Sequence, residues 1–338
     1  MTIKTISLMH GSGGLATQQL IDNIFMQAFN NEKLTQREDQ ARLLLSDFTQ
    51  IGNKLAFSTD SYVIDPLIFP GGDIGKLAVC GTVNDLAVSG AYPRYLSCGF
   101  IIEEGLPIEL LTQVVSSMAN TAKIANIEIV TGDTKVVPKG AADKLFINTS
   151  GIGVIPYNLD WGMHNIYPGD SIIVSGTLGD HGATILNERE KFGLMGNLSS
   201  DCAPLNQLID QLRTIDGIHA LRDATRGGVN AVLHEFSQAC GYGMKIQEAD
   251  LPLSPMVRGI CELLGLDALN FANEGKLVII ASATATPIVL ETLRAHPLGT
   301  HANRIGLVTP QQQILLCGLY GVERLLDLPS QEPLPRIC

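Results

Sequence analysis

The sequence predicts two α/β domains of the α+β sandwich type followed by a short tail, and three observations predict it. First, 338 residues exceed the length at which one core usually stops growing. Second, β-branched apolar runs of strand length alternate with helical periodicity in both halves of the chain. Third, around "IPYNLDWGMHNIYPGD" the periodicity lapses and turn residues collect. The expected division is therefore 1–156, 157–328, and a flexible tail at 329–338 that carries a terminal cysteine.

In the first half "KLAFSTD" and "YLSCGFIIEE" read as strands, and "IEIVTGD" and "KLFINTSGIGVI" follow as two more. "PIELLTQVVSSMANTAKIANI" reads as an amphipathic helix. "GKLAVCGTVNDLAVSGA" is rich in Ala, Gly, Val and Ser, which suits a helix packed closely on a sheet. The second half predicts strand "SIIVSG", helices "HGATILNERE" and "GGVNAVLHEFSQACG", and strand "GMKIQEA". Helix "PMVRGICELLG", strand "KLVIIAS" and helix "PIVLETLRAH" complete it. After "LYGVERLLDL" the pattern stops, and Pro329, Pro333 and Pro335 mark an extended tail.

Hydrophobic residues make up 45 % of the chain and charged residues 17 %, ample material for packed cores. A net charge of −11 argues against a nucleic-acid partner, because phosphate backbones need clustered Lys and Arg. It leaves room for a nucleotide whose phosphates reach carboxylates through a divalent cation. No run approaches the roughly 18 apolar residues of a membrane span, and the start lacks a signal-peptide pattern, so a cytoplasmic protein is expected. The seven cysteines, at 80, 98, 202, 240, 261, 317 and 338, include no CxxC pair. Six read as buried reduced thiols; Cys338, at the very end, reads as an exposed nucleophile.

Three aspartates sit at strand ends or helix turns: Asp60 in "FSTDSYVID", Asp85 in "GTVNDLAVSG" and Asp133 in "IVTGDTKVV". Turn aspartates are common, but three beside small and hydroxyl residues in one domain fit a metal–nucleotide site. "HGSGG", "PGGDIGK" and "TRGGVN" can present backbone N–H groups to phosphates, though none is a Walker A loop. Asp180 reads as the N-cap of the helix that follows it. Glu274 in "ANEGKLVI" stands directly before a strand; a surface carboxylate is the ordinary reading and a general base the sharper one.

Together these segments, with "TDSYVIDPLIFPGGDIGKLAVCGTVNDLAVSGA", "LRDATRGGVNAVLHE" and the terminal "PRIC", closely resemble the HypE family of hydrogenase maturation factors. These are carbamoyl dehydratases in the superfamily of aminoimidazole ribonucleotide synthetase and selenophosphate synthetase. The resemblance implies a homodimer formed through a barrel-like association of N-terminal sheets, with ATP and Mg2+ bound nearby. The implied ATP-binding residues are Asp60, Gly71, Gly72, Lys76, Asn84, Asp85, Asp133, Gly227 and Gly228, with Asp60, Asp85 and Asp133 on the metal. Cys338 would accept a carbamoyl group from the carbamoyltransferase HypF. ATP would then drive dehydration of this S-carboxamide to a thiocyanate, and the cyano group would pass to iron on a HypC–HypD complex. Lys135 would compensate phosphate charge and Glu274 would remove protons.

A ten-residue tail spans roughly 31 Å at about 3.1 Å per residue, enough to carry Cys338 between a donor and an internal site. Because its own carboxylate opposes thiolate formation, the Cys338 thiol is expected to be activated only when docked, in the donor complex or beside Lys135. Two other readings stay open: an ATP-dependent kinase or synthetase acting on a soluble substrate, and a non-catalytic scaffold whose tail docks onto partners.

Overall fold

The computed structural model describes residues 4–192, 198–329 and 336–338, so Pro333 and Pro335 lie outside the described residues. The first sheet contains β1 (Gly52–Tyr62), β4 (Tyr92–Glu103), β5 (Glu128–Val137) and β6 (Leu145–Pro156) in the order β1-β6-β4-β5. Between β1 and β4 runs a short hairpin, β2 (Ile68–Phe69) and β3 (Gly72–Asp73). Pairing in the four-stranded sheet is antiparallel except between β4 and β5. Along β1 the residues alternate in exposure: Leu55, Phe57, Thr59 and Ser61 face outward, while Ala56, Ser58, Asp60 and Tyr62 face the helical layer.

That layer consists of helices Ile74–Val88 and Ile108–Ile124. Asp73 caps the first, its carboxylate accepting from the N–H groups of Gly75 at 2.8 Å and Lys76 at 3.0 Å. Nearly the whole of helix 74–88 is buried, which is why it is apolar all round instead of on one stripe. Its small residues are required: a Cβ on Gly75 would meet the Val114 carbonyl at 2.4 Å, and one on Gly81 the Tyr62 hydroxyl at 2.3 Å. Helix 108–124 buries a single stripe of Leu111, Val114, Val115, Met118 and Ala122. On the opposite face helix Ser46–Thr49 covers part of the sheet, Phe48 packing with Tyr95, Val130 and Val154, while Leu55 and Phe57 stand exposed beside it.

The second sheet has seven strands: β7 (Ser171–Val174), β8 (Ile218–Asp223), β9 (Gly243–Gln247), β10 (Leu277–Ala281), β11 (Asn303–Thr309), β12 (Ile314–Cys317) and β13 (Glu323–Leu325). Their order is β13-β12-β9-β11-β7-β10-β8, parallel only between β12 and β9. Successive residues of β10 serve opposite cores. Val278 and Ile280 pack with helix Gly228–Cys240, while Leu277, Ile279 and Ala281 pack with helices Asn206–Leu212 and Thr286–Ala295. A strand covered on both faces needs an unbroken apolar run, and "LVIIA" is one. Both domains are thus α+β layers. No described helix is long and apolar enough to cross a membrane.

The two layers share one core. Ala183, Ile185, Val257 and Phe271 of the second half pack with Leu77, Val114 and Met118 of the first, and Ile337 from the chain's end joins them. Asn84 staples the halves: its amide donates to the Ala203 carbonyl at 3.1 Å and accepts from the Leu205 N–H at 2.7 Å. Strand β8 has no counterpart among the expected elements, because His219, Arg222 and Asp223 interrupt its apolar pattern.

Candidate active site

The chain's last residue lies inside the molecule. Ile337 is 2 % exposed and Cys338 is half-buried against the first-domain core. The expectation of an exposed terminal nucleophile is therefore corrected for this state: the apolar Ile337 side chain buries the end of the chain. Each of the last three carbonyls is met by a donor, two of them from helix Asp180–Glu190 and one from the residue after β1. Arg189 donates to Arg336, His181 Nε2 to Ile337 at 2.8 Å, and the Val63 N–H to Cys338 at 3.0 Å. The Arg336 side chain returns to the Val63 carbonyl at 2.9 Å and to Asp143 at 2.7 Å. Arg336 holds a left-handed backbone, φ 54°, which costs a non-glycine residue roughly 1–2 kcal/mol and persists because its neighbours fix it.

Around Cys338 the two domains supply a cluster of acidic groups. Asp60 comes from β1, Asp85 from helix 74–88 and Asp223 from the end of β8. Glu274 comes from the loop before β10, where Asn273 holds the backbone by donating to the Ala224 and Phe271 carbonyls, each at 3.0 Å. Asp201 supports this loop by accepting the Glu274 N–H at 3.0 Å, and its carboxylate pairs with Lys276 at 3.4 Å. Glu274 is 2 % exposed, so the surface reading is corrected. Among the described residues, buried Glu274 Oε1 and Asp223 Oδ2 have no hydrogen-bond partner. Orphaned buried carboxyl atoms require a partner, and a ligand bound in this pocket can supply one.

Electrostatics follow from that crowding. Burial, then the neighbouring charge of Asp85, pushes Asp223 up to about 7. Burial raises Glu274 well above the ordinary carboxylate range, with Cys202, Asp201, Asp223 and Asp60 adding to it. Burial also raises Asp60 and Asp85, although Ser58 donates to Asp85 at 2.6 Å. The docked Cys338 thiol is pushed up to about 11 by burial and by Glu274, a shift that Arg226 only partly opposes. Docking in this pocket, beside Glu274 and not beside Lys135, therefore suppresses the thiolate.

The structure redistributes several predicted site residues. Asp133 does not join Asp60 and Asp85 within one chain. Asp60 lies in the cross-strand row Asp60–Thr149–Cys98–Gly132, and Asp133 in the adjacent row Ser61–Asn148–Gly99–Asp133. Adjacent rows point to opposite faces of a sheet. Lys135 is paired with Asp133 at 2.8 Å and is likewise exposed. Both residues, with Gly11 and Gly13 of "HGSGG", line a cavity of about 330 Å³ whose apolar wall includes Phe25 and Phe29. No described group of three or more His, Cys, Asp or Glu residues is gathered tightly enough to hold a metal ion.

Lys76 donates to the Gly71 carbonyl at 2.8 Å, and Asp73 takes the first-turn N–H groups there, so "PGGDIGK" is already capped by a carboxylate where a phosphate was expected. Gly71, at φ 93°, and Gly72 shape the turn before that cap. Asn84 is the interdomain staple. Gly227 and Gly228 adopt φ 76° and 62°, and a Cβ on Gly228 would meet the Leu269 and Phe271 carbonyls at 2.4 and 2.5 Å. Gly228 packs closely on that segment, and the turn carries Arg226 to the site. Asp180 is the first residue of its helix and not its N-cap; its carboxylate accepts from Thr177 and Ser254. Asp223, Arg226 and His181 were missed as functional residues, although each lies in a segment the sequence flags.

Residues 38–155 match the family model described as AIR synthase related protein, N-terminal domain, and residues 167–316 match its C-terminal domain. Fold and site thus define an AIR synthase related protein. The chain is 65 % identical to Carbamoyl dehydratase HypE of Escherichia coli (strain K12), over 99 % of this chain and 100 % of that protein. A crystal structure of the hydrogenase maturation protein HypE in complex with ATP is 45 % identical, covers 98 % of this chain and 99 % of its own, and superposes with a TM-score of 0.93. A HypE–HypF complex matches at 45 % identity, 92 % and 99 % coverage, and a TM-score of 0.80. The chain belongs to the carbamoyl dehydratase HypE family.

Proposed function

We propose that this protein dehydrates a carbamoyl group carried as an S-carboxamide on its own Cys338 and leaves a thiocyanate. That product supplies the cyanide ligand in nickel–iron hydrogenase maturation. The observation that carries the reading is the terminal thiol itself, seated beside Arg226 and the buried, unpartnered Glu274. A kinase or synthetase for soluble substrates has no use for its own C-terminus in that position.

Converting S–C(=O)NH₂ into S–C≡N removes two N–H protons and breaks the C–O bond. ATP with magnesium supplies the phosphoryl group that makes the carbamoyl oxygen a leaving group. Asp60 and Asp85 fit a magnesium ion, which takes one or two carboxylates and completes its shell with phosphate oxygens and water. The two N–H protons leave one at a time, one as the oxygen is phosphorylated and one as phosphate departs. Each passes by way of the Glu274–Asp223 pair, which releases the first to solvent before it takes the second. Burial raises both carboxyls, Asp223 to about 7, so Asp223 is available as an acceptor at neutral pH. The Arg226 guanidinium faces the sulfur at 3.7 Å and stabilises negative charge developing next to it.

A second copy of the chain covers the open sheet face, where Leu55, Phe57 and Ile101 are exposed. It brings Asp133 and Lys135 of one copy towards the phosphates held by the other. Loading takes place with the tail undocked, since the docked thiol is pushed up; the donor is a HypF-type carbamoyltransferase. The cyano group leaves to iron on a HypC–HypD complex, in the cytoplasm. The test is Cys338→Ala: calorimetry shows ATP still bound, while ATP consumption that depends on the carbamoyl donor disappears. Unchanged turnover in that variant contradicts the proposal and favours a kinase or synthetase.

A further inference from the structure

Two elements arrange the three donors that meet the tail: the two ends of helix Asp180–Glu190 and the residue after β1. Arg189 sits near the end of helix Asp180–Glu190, where its Nε is fixed on the Asp65 carbonyl at 2.6 Å, leaving Nη2 to reach Arg336. Val63 follows β1 directly. His181 is fully buried in the first turn of the same helix and stacks edge-on to Phe69 at 5.5 Å.

The Ile337 oxygen can only accept, so Nε2 of His181 carries the proton. Nδ1 is then the acceptor for the Ser200 hydroxyl at 2.7 Å, and Ser200 Oγ accepts the Cys202 N–H at 3.1 Å. This relay fixes the tautomer without a charged partner in direct contact. Burial lowers the histidine's pKa, consistent with a neutral ring.

We propose that His181, Arg189 and the Val63 N–H form a main-chain socket for a C-terminal peptide. The socket reads three successive carbonyls and admits one aliphatic side chain, that of Ile337, and by this register it places the terminal sulfur beside Arg226 and Glu274. His181 is a positioning residue: it touches the peptide one residue before the reacting group. The ligand class is an extended C-terminus with an aliphatic penultimate residue. The contribution of this register to dehydration rests on the carrier reading above; the socket itself does not.

The test uses the full chain and measures alkylation of Cys338 by iodoacetamide, read by peptide mass spectrometry, with Cys261 and Cys240 as internal references. His181→Met fills the space without a donor and is expected to speed Cys338 alkylation about tenfold, the effect of losing one hydrogen bond. His181→Gln keeps an N–H donor near the Nε2 position and is expected to stay within about twofold of the parent protein. Ile337→Asp, which cannot enter the apolar pocket, exceeds His181→Met. Equal rates in the parent and His181→Met overturn the socket, as does parallel acceleration at Cys261 and Cys240, which assigns the effect to general loosening. Single-turnover dehydration separates the two claims. If His181→Met frees the thiol but the parent chain never dehydrates its adduct, the socket stands and the carrier reading falls.

Discussion

Nη2 of Arg226 lies 3.7 Å from Sγ of Cys338, across 112 residues of sequence. The guanidinium is delivered by the turn that Gly227 and Gly228 permit, and it opposes the upward shift of the thiol. Removing a group positioned at developing charge typically costs on the order of 10²-fold or more in rate. Arg226→Ala is therefore expected to slow dehydration of the carbamoylated tail by about 10²-fold. Loading by the donor, which uses the undocked tail, should change little. Single-turnover mass spectrometry of pre-loaded protein checks this.

The buried carboxyls make stability depend on pH. Asp223 binds its proton more tightly folded than unfolded, about 7 against an ordinary 3.8. A raised folded pKa adds stability that is complete below the unfolded value and lost as pH rises through the folded one. From about pH 4 to about pH 7 the folded state should weaken on this account. Asp223→Asn cannot titrate, so its melting temperature should gain on the parent between pH 5 and pH 8. Parallel curves for the two proteins over that window contradict the assignment.

Glu274→Gln keeps the shape of a carboxyl whose charged form burial disfavours. Its melting temperature at pH 7 should match or exceed that of the parent, while dehydration falls by about 10²-fold or more. A stability loss with full activity would place Glu274 in the scaffold instead of the chemistry.

Asn84 offers the converse test. Asn84→Ala leaves the Ala203 carbonyl and the Leu205 N–H buried without partners, a loss of about 2–3 kcal/mol. Chemical denaturation should register that loss, and calorimetry should find ATP affinity unchanged. Weakened ATP binding in folded protein would give Asn84 the nucleotide role read from the sequence as well.

The open face of the first sheet predicts assembly through Phe57. Phe57→Asp places a charge in the proposed dimer interface, so sedimentation equilibrium should report a monomer. Since Asp133 and Lys135 face away from Asp60 in each chain, the monomer should also lose dehydration.

Elements with strong period were legible in the sequence, including β1 and helices 74–88 and 108–124, because one-sided or complete burial leaves a pattern in the residues. Strand β8 was not, because its polar residues serve the site and an ion pair instead of a core: Asp223 enters the acidic pocket, and Arg222 pairs with Glu235 at 2.9 Å. Glu274 and the glycine segments were recognisable as unusual, but their roles depended on tertiary packing. A capped helix start, an interdomain staple and a phosphate cradle look alike when only Gly, Asp and Asn are visible. The faces of Asp60 and Asp133 follow from strand register, which single strands do not disclose.

The central claim is that the last sulfur carries the group being dehydrated. It is tested most directly by mass spectrometry of the C-terminal peptide after incubation with a HypF-type donor and carbamoyl phosphate, with and without ATP and magnesium in a chase. The account predicts a carbamoyl adduct on Cys338 that loses one water only in the chase with ATP and magnesium. A cysteine that stays unmodified throughout, or an adduct that keeps its water with ATP and magnesium present, would contradict it.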